Sequence, residues 1–93
     1  MKVEENVILC KLLDLYGKLL SKGQQEILSY SLNDDLTLSE IAQNLGISRQ
    51  AVKDSLTKGE EKLFAMEEEL GFLKRVEGYE KEIMLLKEQL SKK

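Results

Sequence analysis

The tightest constraint on this chain is the run from Leu36 to Asp54, LTLSEIAQNLGISRQAVKD, which spells two helix starts and one helix stop in close succession. Thr37 stands three residues before Glu40, the spacing at which a hydroxyl and a carboxylate cap each other's backbone N–H groups at the head of a helix. Leu38, Ile41, Ala42 and Leu45 follow at helical spacing. Gly46 supplies the left-handed residue that closes such a helix, and Ser48 is placed to cap the next one. These signals predict a short helix, a tight turn and a second helix, in that order.

The rest of the chain reads the same way. There is no proline and there are only six glycines, so helices can run without forced breaks. Leu, Glu and Lys dominate over β-branched and aromatic residues, which makes the expected fold class all-α. A first helix is expected over about residues 4–20. Ile8, Leu12, Leu15 and Leu19 follow helical spacing there, with Leu9, Leu13, Tyr16 and Leu20 beside them, a stripe wide enough to be covered on two sides. Ser21 and Gln24 form a capping box for a second helix with Ile27, Leu28 and Leu32 inward, and the polar stretch at 33–35 ends it.

Beyond Ser48 one apolar stripe runs through Val52, Leu56, Gly59, Leu63, Met66, Leu70 and Leu73. A second seam of Val76, Tyr79, Ile83, Leu86 and Leu90 is displaced from it, and Gly71 and Gly78 flank the slip. An unbroken helix over 49–90 would be about 60 Å long, too long for one small domain. The chain is therefore expected to break near Gly71 and to begin a fifth helix near residue 73. The expected organisation is a four-helix domain over 1–72 and an amphipathic, coiled-coil-like helix over 73–93. That last helix either packs on the domain or pairs with its twin, and a homodimer is expected. Tyr16, Tyr30 and Phe64 read as packing residues; Phe64 lies off the main stripe, where it marks a subunit contact.

Several function classes fall away on composition. The chain has no histidine and no glycine-rich phosphate loop, and Cys10 and the serines lack a catalytic partner. No catalytic residue, metal or cofactor is expected, and so no enzyme. Cys10, the single cysteine, lies in an apolar run and reads as a small buried hydrophobe in a reducing compartment. No apolar run reaches membrane-spanning length and no secretory leader is visible, so no membrane partner and a cytoplasmic location are expected.

The central run also carries the logic of a helix-turn-helix. Two steeply crossing helices need a small residue at the crossing, Ala42. They need a turn residue tolerant of positive φ, Gly46, and an apolar plug, Ile47. Val52 and Leu56 then anchor the second helix. At 100° per residue the side opposite Val52, Leu56 and Leu63 carries Arg49, Gln50, Lys53, Asp54 and Thr57. Arginine and glutamine can make paired hydrogen bonds to guanine and adenine edges. Lys53 and Lys58 are placed for phosphates, and Ser48, Thr37 and Ser39 sit at helix N-termini, where hydroxyls and N–H groups hold phosphate oxygens. DNA is the expected partner.

Charge sets the expected strength. The chain has 17 acidic and 14 basic side chains, net −3, and residues 36–63 hold equal numbers of each. Non-specific DNA affinity comes largely from neutralising phosphates, so weak, salt-sensitive binding is expected. The competing reading is an interaction module in which the same helices never read bases.

The run LTLSEIAQNLGISRQAVKD resembles region four of bacterial sigma factors, which reads the −35 promoter element, and LLSKGQQEILSYSLNDDLTLSEIA is similar to that region's opening helices. SRQAVKDSLTKGEEKL and MEEELGFL resemble the small YlxM family of bacterial helix-turn-helix proteins more closely. The resemblance covers about residues 5–73. It implies a DNA-binding regulator acting in the signal recognition particle pathway, with that particle's RNA or its GTPase as the alternative partner. Sigma-like base contacts would fall on Arg49, Gln50, Lys53 and Asp54. Asp54 stands where a glutamine is common and Ala51 where a basic residue often sits, and both departures remove affinity for DNA.

Overall fold

A computed structural model describes residues 3–92 as a succession of helices: α1 (Val3–Tyr16), a 3-10 turn (Gly17–Leu19), α2 (Lys22–Leu32), α3 (Leu38–Leu45), α4 (Arg49–Leu70) and α5 (Phe72–Ser91). The fold is all-α. The Ser21 hydroxyl accepts the Gln24 N–H at 3.2 Å and so caps α2. The reciprocal half of the expected capping box is missing, because the Gln24 side-chain oxygen instead accepts from Lys62 of α4.

Two apolar clusters hold the helices together. Leu9, Leu12, Tyr16 and Leu20 of the N-terminal segment meet Leu28 of α2 and Leu63 of α4 in the first. Ile27 of α2, Ile41 and Ala42 of α3 and Val52 of α4 form the second, with Tyr30 packed against it. Leu56 touches both and joins them. At the α2–α4 crossing Gly59 is buried, and a Cβ there would stand 2.8 Å from Leu28 Cδ1. Only a glycine lets the helices approach this closely without displacing that leucine.

The first helix departs from its expected form in two ways. Its α-helical part stops at Tyr16, and residues 17–19 continue as a 3-10 turn. Only the 9–12–16–20 row is buried; Ile8, Leu15 and Leu19 face solvent. A row one residue out of register lies about 100° around the helix, and a chain this small has no further layer to cover it. Cys10 is half-buried rather than buried, with its thiol pointing to the Leu32 carbonyl oxygen at 3.8 Å. Phe64 is exposed on α4.

The break between the long helices falls at Gly71, which adopts the left-handed conformation at φ 64° and ψ 25°. Its N–H closes α4 on the Glu67 carbonyl oxygen. Glu67 also starts the next helix: its carboxylate accepts the Leu73 N–H at 3.0 Å and the Lys74 N–H at 3.1 Å. The Tyr16 hydroxyl donates to the same carboxylate at 2.7 Å and accepts the Phe72 N–H at 3.2 Å. Three of the N–H groups that a new helix leaves open are thus satisfied by two side chains from other helices, and the Tyr16 ring stacks on Phe72 at 6.0 Å.

Titration follows from this joint. Burial raises the Tyr16 phenol above its ordinary value, and its bond to Glu67 adds to the effect. Burial also acts to raise the Glu67 carboxyl, but the Tyr16 hydroxyl and the two backbone N–H groups outweigh it and hold the acid below its ordinary range.

From this joint α5 runs alongside α1 for its first turns, tied by a Lys11–Glu77 ion pair of 3.0 Å. Its later apolar seam, Tyr79, Ile83, Leu86 and Leu90, is exposed among the described residues. The described residues extend 59 Å along their long axis and only 25 Å and 22 Å across it.

Candidate nucleic-acid interface

The site is built on α3, its turn and the first turns of α4. Thr37 and Glu40 make the complete capping box. The Glu40 carboxylate accepts the Thr37 N–H at 2.8 Å, and the Thr37 hydroxyl oxygen accepts the Glu40 N–H at 3.2 Å. Gly46 closes α3 at φ 67°, and the N–H groups of Gly46 and Ile47 both reach the Ala42 carbonyl oxygen. The Ser48 hydroxyl oxygen accepts the Ala51 N–H at 3.0 Å and opens α4. Beneath the turn Ile41, Ala42 and Val52 are buried together, as two helices crossing over a small residue require. Ile47 is not the expected plug. It is exposed, because the turn spends its N–H on Ala42 and the second cluster closes over Leu45 and Val52 without it.

Arg49, Gln50, Lys53, Asp54, Thr57 and Lys58 are all exposed on α4, and Ser48, Thr37 and Ser39 are exposed at the two helix N-termini. Leu38 of α3 shares a shallow concavity with Arg49, Gln50 and Lys53. The fold therefore brings Leu38, in the first turn of α3, beside the basic first turns of α4. Thr37 and Ser48 already accept a backbone bond each, which leaves their hydroxyl hydrogens to donate outward.

The acidic residues are distributed unevenly around this face. Glu40 is occupied by the capping box. Glu60 lies towards α1, where burial and the neighbouring Glu5 raise its carboxyl. Asp54 is the one that competes directly. Its carboxylate accepts from the Gln50 amide nitrogen at 2.9 Å, so the side chain best suited to an adenine edge is engaged within its own helix. Sequence reasoning placed both residues outward but missed their pairing, although the i, i+4 spacing signals it.

A short capped helix, a left-handed glycine turn and a second helix with a polar, exposed N-terminal face define a helix-turn-helix protein. The chain belongs to the UPF0122 family, described as "Putative helix-turn-helix protein, YlxM / p13 like", whose model matches residues 3–93. A UPF0122 protein of Fusobacterium nucleatum is 39% identical over 92 residues, which cover 99% of this chain and 89% of that protein. One from Listeria monocytogenes serotype 4b is 42% identical over 82 residues, covering 88% and 74%. Another, from Acetivibrio thermocellus, is 53% identical over 62 residues, covering 67% of this chain and 53% of its own length.

Proposed function

We propose that this chain is a DNA-binding regulatory protein that places the first turns of α4 in the major groove. The observation that carries the reading is the exposed cluster of Arg49, Gln50 and Lys53 beside the α3 N-terminus. Arg49 would read a base edge, Lys53 and Lys58 would hold phosphates, and Thr37, Ser39 and Ser48 would donate to phosphate oxygens. Thr57 borders the same face. Its near-neutral charge makes the complex weak and salt-sensitive, and the regulator would act in the signal recognition particle pathway, an assignment supported by the sequence resemblance alone.

Selection of genomic fragments by the purified chain, followed by anisotropy titration over a salt series, tests the proposal. The pair of substitutions Arg49→Glu and Lys53→Glu should abolish measurable duplex binding. Duplex binding that is unchanged in this variant refutes the proposal.

The engaged Gln50–Asp54 pair favours a second reading, in which the same helices bind the particle's RNA or its GTPase without reading bases. Salt-dependent binding of that RNA with no preference for any duplex, or binding of the GTPase, would select it over the first.

A further inference from the structure

Most of α5 presents an apolar face that is exposed among the described residues. Val76, Tyr79, Ile83, Leu86 and Leu90 recur at three- and four-residue intervals along one face, and their exposure ranges from 39% at Val76 to 70% at Leu90. Among the described residues the last ion pair holding α5 to the body is at Glu77. An isolated helix of fewer than about 15 residues is marginal in water, and this one contains Gly78. A contiguous apolar seam on such a helix points to something that covers it.

The flanking charges specify the occupant. Counted as a heptad, Val76, Ile83 and Leu90 take the first core position and Tyr79 and Leu86 the second. Arg75 and Glu82 then precede the core, and Glu80 and Lys87 follow it, at the positions that face across a two-stranded coil. In a parallel, in-register pair each preceding residue meets the following residue five positions on in the other helix. Arg75 thus meets Glu80, and Glu82 meets Lys87. Both pairs join opposite charges, and the two-fold axis doubles them.

Each antiparallel register aligns only four of the five seam residues. One sets Glu80 against Glu80 and Glu82 against Glu82, which repels, and the other sets Glu80 against Lys87 but leaves Val76 without a counterpart. The parallel register therefore keeps the most core layers and the most opposite-charge pairs. None of Arg75, Glu80, Glu82 and Lys87 makes an ion pair among the described residues. β-Branched Val76 and Ile83 at the first core position are also the residues that favour two parallel strands.

We infer that α5 forms a parallel, in-register coiled coil with α5 of a second copy of this chain. Both helix-turn-helix units then leave the same end of the coil. The inference does not depend on which ligand those units bind.

Sedimentation of the full chain at tens of micromolar should give twice the mass of one chain. Ile83→Lys should return it to the mass of one chain while leaving the cooperative thermal unfolding of the body in place, because Ile83 is exposed and belongs to neither core cluster. Glu82→Lys or Lys87→Glu alone should weaken dimerisation by roughly threefold to tenfold, and the double substitution should restore it. In a Cys10→Ser background, Leu90→Cys should form an intermolecular disulfide on mild oxidation. The two positions adjoin in the parallel coil and lie about 16 Å or more apart in either antiparallel one. A chain that stays monomeric, or a dimer indifferent to Ile83→Lys, overturns the inference. A dimer that fails to cross-link through residue 90, or that the charge swap does not rescue, overturns the parallel register.

Discussion

Replacing Glu67 with alanine removes three acceptor bonds at the joint between α4 and α5: the one from the Tyr16 hydroxyl at 2.7 Å and those from the Leu73 and Lys74 N–H groups. The Lys74 bond is exposed, and water replaces most of it. The Leu73 bond is partly protected, and a bond to a carboxylate in such a place contributes about 1.5 kcal/mol. The Tyr16 hydroxyl keeps the Phe72 N–H as a donor but loses its own acceptor, with the tyrosine only 1% exposed.

The expected loss is about 2 kcal/mol in total, which for a domain of this size lowers the melting temperature by roughly 10 °C. Urea unfolding followed by far-ultraviolet circular dichroism measures it, at one protein concentration so that any self-association stays constant. The same variant should lose hydrogen-exchange protection at Leu73 and Lys74 while the α3 amides keep theirs.

The pH dependence supplies a second, independent check. The folded state holds the Glu67 carboxyl below its ordinary value of 4.5, so the ionised form is the one the fold favours. Its contribution is therefore complete above that value and is lost as pH falls through the lower, folded value. The gap between wild type and Glu67→Ala should be full at pH 7 and shrink progressively below pH 4.5. A gap under about 0.5 kcal/mol at neutral pH, the size of an ordinary surface substitution, would refute the reasoning. So would one that stays constant into acid.

Three further outcomes are expected. Gly59→Ala gains helix propensity of about 1 kcal/mol but drives its Cβ against the buried Leu28, where overpacking costs about 1–3 kcal/mol; denaturant titration should show net destabilisation, and the same substitution made in a Leu28→Ala background, itself less stable, should cost nothing further. Gly71→Ala forces a side chain into the left-handed region and should cost about 1 kcal/mol by the same assay, with no steric contribution because nothing stands within 4 Å of the added carbon. Asp54→Ala frees Gln50 and removes a negative charge from the exposed face, so duplex DNA affinity at low salt should rise by about threefold to tenfold; an unchanged affinity would show that this face does not meet DNA.

The legibility of this chain in its sequence follows the range of the interactions. Thr37–Glu40, Gly46 and Ser48 act through backbone groups three or four residues away, so their roles in ending and starting helices could be read directly. The α4 break was legible for the same reason, since Gly71 lies where the apolar stripe changes register. The Tyr16–Glu67 bond joins residues 51 positions apart, and nothing local distinguishes Glu67 from the acids beside it. Ile8, Leu15 and Leu19 carry a helical period as good as that of the buried row. Which row is covered depends on how many layers the fold has, and periodicity does not count layers. At the candidate site the exposed residues were legible as a set, whereas the Gln50–Asp54 bond required weighing two polar neighbours against each other rather than each against a ligand.

The joint at Gly71 has a mechanical meaning as well as a thermodynamic one. Tyr16 of α1 and Glu67 of α4 grip the first three N–H groups of α5, so the direction in which α5 leaves the body is set from outside α5. In an assembly built through α5, that grip acts as a protractor: it fixes the angle between each helix-turn-helix unit and the shared coil. The separation of two such units along any ligand would then be tuned at Tyr16 and Glu67, residues that touch neither the ligand nor the second chain.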